Sequence, residues 1–140
     1  MDFRRGWIVT TWLKAAADGA AGDATADTYF FRLPVKAEQA VVHFLPNNTL
    51  TAHDTNFATL NLKEGDGAGG ALVTVASRNT KTTAAGGSGD WVAGVPVSLT
   101  ISDTELAAGS VLAIAITKAA AGVVVPQGEL VVALKPRRKR

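Results

Sequence analysis

The sequence predicts an all-β chain, a single-domain antiparallel β-sandwich of jelly-roll-like build, on three observations. Apolar residues alternate with polar or small ones in several short runs, clearest from Val97 to Ser102, and that period of two is what a half-buried strand requires. The runs are separated by clusters of glycine, proline, asparagine and aspartate, which supply turns. The 14 glycines and the scarcity of a sustained helical period tip the balance away from helices. Some eight short strands at this spacing fit a sandwich or jelly roll.

The first run, Trp7 to Leu13, sets Trp7, Val9 and Leu13 against Ile8 and Trp12, so it reads as a strand with both faces covered. The alanine- and glycine-rich stretch from Ala15 to Asp27 reads as a mobile surface loop. From Thr28 to Lys36, Tyr29, Phe31, Leu33 and Val35 align on one side, with Arg32 pointing away and Pro34 confining the strand's end to an edge or bend. Ala40 to Leu45 is the next strand, closed by the turn formers PNNTLTAHDTN.

Asn56 to Ser77 reads as a long hairpin. Ala58, Leu60 and Leu62 share one face of its first arm, Val73 and Val75 one face of its second, and Glu64 to Gly70 form the connecting loop. Arg78 to Asp90 lacks apolar periodicity and reads as an exposed, soft loop. Val97, Leu99 and Ile101 then define a strand, and DTELAAGS turns the chain. In the run that follows, Leu112, Ile114 and Ile116 alternate with Ala113 and Ala115, a small-residue face that suggests cover by another subunit. Val123 to Val125, a PQG turn, and Leu130, Val132 and Leu134 complete the last pair.

The organisation is therefore an N-terminal arm strand and flexible loop over 1–27, a β-sandwich body over 28–134 and a basic tail over 135–140. With 47% hydrophobic and 19% charged residues, the chain is a folded globule and not a disordered one. The absence of cysteine excludes disulfides, thiolate metal sites and a cysteine nucleophile. Trp7 to Leu13 makes a poor secretory core, and no segment has the length of a membrane span. Seven of the 14 basic residues sit at the two ends, whereas residues 6–134 hold seven basic and 11 acidic ones, a net of about −4. The electrostatic picture is a mildly acidic body with basic ends.

Chemistry-bearing constellations are scarce. His43, between Val42 and Phe44, reads as a packed or interface residue, and His53, beside Asp54, as a solvated loop residue; no HxH or HExxH spacing is present. In the loop EGDGAGG, Gly70 is followed by Ala71 and Leu72 where a phosphate-binding loop needs Lys and Ser or Thr. Asp66 stands nearly alone where a calcium loop needs several oxygens. The glycines there, and those from Gly86 to Gly89, instead supply positive φ to turns. No catalytic residue, cofactor or metal is expected. The tail KPRRKR can neutralise phosphates or dock on an acidic surface, but without interleaved aromatics it predicts no specific nucleic-acid recognition.

The succession FRLPV, FLPNNTLTAHDTNFATLNL, DGAGG and LAAGSVLAIAITKAAAGVVVPQGELVVAL, over Phe30 to Leu134, resembles small structural proteins of tailed bacteriophages, the capsid decoration or cement proteins and related virion components. The resemblance implies a virion protein without enzymatic activity. It implies a β-sandwich subunit, often a homotrimer, that lies on the outer surface of the capsid and ties subunits of the major capsid protein together, with no membrane partner. Met1 to Thr28 lies outside it.

For such a role Phe3, Trp7 and Trp12 are candidate aromatic anchors, core packing being equally open for Trp7 and Trp12. Arg4, Arg5, Arg137, Arg138, Lys139 and Arg140 are candidates for docking on acidic patches. The competing reading is a receptor- or glycan-binding module of a tail or head fibre, with Trp91, Tyr29, Asn47, Asn48 and Asp54 as the sugar site.

Overall fold

The computed structural model describes residues 6–13, 22–23, 27–119 and 125–137, the pair at 22–23 by backbone alone. These form eleven strands: β1 (Trp7–Leu13), β2 (Gly22–Asp23), β3 (Thr28–Arg32), β4 (Ala37–Pro46), β5 (Ala58–Gly65), β6 (Val73–Asn79), β7 (Val97–Ser98), β8 (Thr100–Ile101), β9 (Glu105–Leu106), β10 (Val111–Lys118) and β11 (Gly128–Pro136). The only helical turn among the described residues is a 3₁₀ turn at Thr83–Ala85. The all-β expectation holds.

Every strand pairing is antiparallel, in two sheets. The first runs β1-β11-β4, with β7 and β9 both on the far edge of β4. The second runs β10-β5-β6-β8, with β2 and β3 both on the outer edge of β10. Their inner faces close one core. Trp7, Val9, Phe44 and Leu130 come from the first sheet, and Leu60, Leu62, Leu112 and Ile116 from the second. Burial of that apolar surface is the main driving force for the pairing of the sheets.

The alternation read from Val97 to Ser102 is real, but the strand is not a single one. Val97 and Ser98 pair with β4 in the first sheet, and Thr100 and Ile101 pair with β6 in the second. At the crossing, the Leu99 amide donates to the Val42 carbonyl at 2.8 Å, and its side chain is buried. The Ser102 amide then donates to the Val75 carbonyl, and β9 returns to β4. One segment thus laces together the edges of both sheets. Buried Gln39 on β4 completes the lacing: its amide Nε2 donates to the carbonyls of Val75 on β6 and of Asp103.

Two irregularities redistribute the faces expected from period two. A register shift on β3 between the partners of Leu112 and Ala113 leaves Phe30 as the extra residue, so Tyr29 falls on the opposite face to Phe31 and is exposed. A shift on β6 makes Val75 the extra residue; Val75 and Ala76 are both buried while Val73 is exposed, contrary to the expected pairing of Val73 with Val75. Ala113 and Ala115 are buried in the single chain. The outward groups beside them pair laterally: Lys63 reaches Asp27 at 2.8 Å, and Asn61 donates to Thr117. A covering subunit is not needed to explain that face.

The stretch 78–90 is not the soft loop its composition suggests. β6 continues to Asn79, Thr80 is buried with its hydroxyl accepting from the Ala58 amide, and Asp54 accepts from both the amide and the hydroxyl of Thr82. Polar side chains here replace the apolar period as the ordering element. His53 caps its own turn through Nδ1, which accepts from the amides of Thr55 and Asn56. In the hairpin loop the Asp66 carboxylate accepts from the amides of Ala68 and Gly70. Gly67 there has φ +80°, and a Cβ would meet the Gly109 carbonyl oxygen at 2.6 Å, so the glycine is required.

These contacts carry two predictions. Gln39→Leu removes both side-chain donors, leaving the Val75 carbonyl with only the backbone amides of Ser102 and Asp103 and the Asp103 carbonyl without the Gln39 amide, which should lower unfolding stability by about 1–3 kcal/mol in chemical denaturation. Asp54 and Asp66 have carboxyls held below their ordinary value of 3.8, Asp54 chiefly by the Thr82 amide and Asp66 chiefly by the Ala68 amide. A depressed carboxyl stabilises the fold above its unfolded value and loses that contribution as pH falls through the lower folded value. Protection of the Thr82, Ala68 and Gly70 amides from exchange, taken relative to the intrinsic rate at each pH, should therefore persist above pH 3.8 and be lost only as pH falls below it.

Candidate functional site

The inner face of the first sheet is committed to the core, and its outer face is largely apolar. On β1 that face presents Ile8, Thr10 and Trp12; on β11, Glu129, Val131 and Ala133; on β4, Val41, His43 and Leu45. The registers place these in rows: Ile8–Ala133–Val41, Thr10–Val131–His43 and Trp12–Glu129–Leu45. Ile8 is 66% exposed and Trp12 55%, and Val41 and Leu45 are exposed as well. Glu129 is the one carboxylate among these positions. Single exposed hydrophobes are ordinary, but a contiguous apolar surface across three strands marks an interaction site.

This face answers the question left open for the tryptophans. Trp7, only 7% exposed, packs in the core, while Trp12, on the other side of the same strand, is presented to solvent. The strand with two covered faces is thus covered on one. Phe3, Arg4, Arg5, Arg138, Lys139 and Arg140 lie outside the described residues. Arg137 is described and does not extend freely: its amide donates to the Lys36 carbonyl and its guanidinium pairs with Glu105. Both side chains of that pair are substantially exposed, so it adds little stability.

Because β1 and β11 are antiparallel with Trp7 opposite Leu134, Gly6 and Lys135 lie at the same end of the sheet. Gly6, at φ +88°, fits against Leu134, where a Cβ would lie 2.6 Å from the carbonyl oxygen. A shallow depression of about 510 Å³ lies at that end, lined by Gly6, Ile8, Ala40, Ala133 and Lys135 among others. Sequence reasoning found the anchors and the charges separately. Val41, Leu45 and Val131 were missed because each alternates with a core residue and read only as the outward side of an ordinary strand.

The alternative sugar site fares differently. Trp91 is fully buried, with its ring edge-to-face against Phe44 at 5.4 Å and its Nε1 donating to Ser88 at 2.9 Å. It cannot stack on a ligand; an aromatic after a glycine cluster had suggested exposure, whereas its backbone pairs with Leu50 and draws it into the core. Asp54 is engaged with Thr82. Tyr29 is exposed beside a groove of about 300 Å³ formed with the glycine loop.

No group of three or more potential metal ligands occurs among the described residues. His43 is half-buried on the outer face, opposite Val131 and Ser98. Comparisons with protein families, curated proteins and solved structures find no match for this chain.

The two tryptophans should separate cleanly. Trp7→Ala should cost about 3 kcal/mol or more of folding stability, as for a large aromatic removed from a core. Trp12→Ala should change stability by no more than about 0.5 kcal/mol. Thermal and denaturant unfolding of the isolated protein measures both, and equal losses would contradict the assignment of faces.

Proposed function

We propose that this protein is a viral structural protein that decorates and cements the capsid of a tailed phage, docking between major capsid subunits through the outer face of the β1-β11-β4 sheet. The observation that carries this reading is the contiguous apolar surface of Ile8, Trp12, Val41 and Leu45; Gly6 and Lys135, which the sequence continues into the two basic segments, lie at one end of it. Apolar area supplies affinity on desolvation, and the basic ends supply steering and register against an acidic lattice. Each contact is modest, but many copies on one shell act together through avidity. In the same reading the two sheets form a jelly-roll-like sandwich, supported by their antiparallel pairing and the segment passing between them, and the subunit resides on the outer surface of the virion.

The glycan-binding alternative retains one supporting observation, exposed Tyr29 in its groove, and would be tested by loss of glycan binding in Tyr29→Ala. The cementing reading is tested by adding purified protein to capsids that lack it and imaging them by electron cryo-microscopy. Density should recur across the lattice, and Trp12→Ala should weaken binding by about 2 kcal/mol, roughly thirtyfold. Deleting Arg138 to Arg140 should reduce occupancy more at low than at high salt. Copies confined to the tail would rule out cementing.

A further inference from the structure

The edge of the first sheet suggests an interaction that does not depend on the capsid. Among the described residues, β1 pairs along one side only, with β11, in a register without bulges over its whole length. Its sequence, WIVTTWL, contains no charge, proline or glycine. Those are the devices by which natural sheets protect an edge from pairing with another chain. A regular, uncharged seven-residue edge flanked by exposed Ile8 and Trp12 is the opposite of a protected one.

We propose that β1 is a self-pairing edge whose partner is the β1 strand of a second copy of this chain, related by a two-fold axis through Thr10. The sequence of the strand selects this occupant and this register. Residues opposed across an antiparallel pair share a face, so self-pairing must match outward residues with outward ones. Centring on Thr10 uses the whole strand, opposing Ile8 to Trp12 twice and Thr10 to Thr10 on the outer face. It also opposes Val9 to Thr11. Centring on Val9 or Thr11 preserves the faces but leaves two residues of each strand unpaired. Aromatic–aliphatic and Thr–Thr pairs are among the favourable cross-strand combinations.

The contact is isologous and closes at two copies. It would join the two outer faces into one surface running β4-β11-β1 across the axis to β1-β11-β4 of the second copy. Stable interfaces begin at roughly 1,200 Å² in total, and an edge pair reinforced by two Trp12–Ile8 contacts belongs at that small end, so association should depend on protein concentration.

The chain has no cysteine, which permits a direct test on the chain as it stands. Opposed residues in an antiparallel pair lie about 4.5–5.5 Å apart at Cα, within the range a disulfide spans. Thr10→Cys should therefore oxidise to a covalent dimer under mild conditions, whereas exposed Ala84→Cys should remain largely monomeric. In sedimentation equilibrium the unmodified chain should show a monomer–dimer equilibrium, and Thr10→Lys should weaken it by roughly fivefold by opposing like charges. Mixing Thr10→Lys with Thr10→Glu should restore association, which separates repulsion at the axis from a folding defect. A chain that stays monomeric at every accessible concentration, a trimer indifferent to Thr10→Lys, or equal crosslinking of the two cysteine variants would overturn the proposal.

Discussion

The fold depends on how two sheet edges are closed by one short stretch of chain. β4 and β6 would each present unpaired amides and carbonyls beside the core, and residues 97–106 satisfy both in turn, pairing with β4, then β6, then β4 again. Leu99 enters the core at the crossing, and Gln39 on β4 bridges to the Val75 carbonyl on β6 and to Asp103 in the crossing segment. Buried backbone groups must find partners, and here one polar lacing fixes the spacing of both sheets. The small connecting turns, including Asp66 with its two amides, are arranged around that fixed body.

The opposite side of the first sheet follows a different logic. β1 is held along β11 by backbone pairing and by the burial of Trp7, Val9 and Leu13, so its alternate residues Ile8 and Trp12 are forced outward. A strand that must bury one row to stay folded presents the other row as a consequence of its period. Where that outward row is apolar on three neighbouring strands, the surface is suited to association. The proposed edge pairing would use the β1 backbone with Ile8 and Trp12 beside it, and the proposed face docking would use the same outward row together with the outward side chains of β11 and β4.

Much of this was legible in the sequence because period-two alternation is a local signal. Ala58, Leu60 and Leu62, or Leu112, Ile114 and Ile116, are buried as their spacing implies. What the spacing could not show is which sheet a strand joins: the run from Val97 to Ser102 alternates without a break while its hydrogen bonds change partner at Leu99. Bulges at Phe30 and Val75 shift faces without leaving a compositional mark. Trp91 misled because its burial depends on Leu50 and Phe44, far away in sequence. For the candidate site, Trp12 was visible by itself, and its place on one face with Val41 and Leu45 required the β1–β11–β4 register.

In the function proposed for this chain, the outer face of the first sheet is the surface that meets the capsid. Hydroxyl-radical footprinting of the protein, free and bound to capsid shells at matched concentration, tests it most directly. Leu45 decides the outcome, because it lies two strands away from the self-pairing edge. Trp12, Val41 and Leu45 should all lose reactivity on binding while Tyr29 keeps it. Protection of Tyr29 with Val41 and Leu45 unchanged would contradict it.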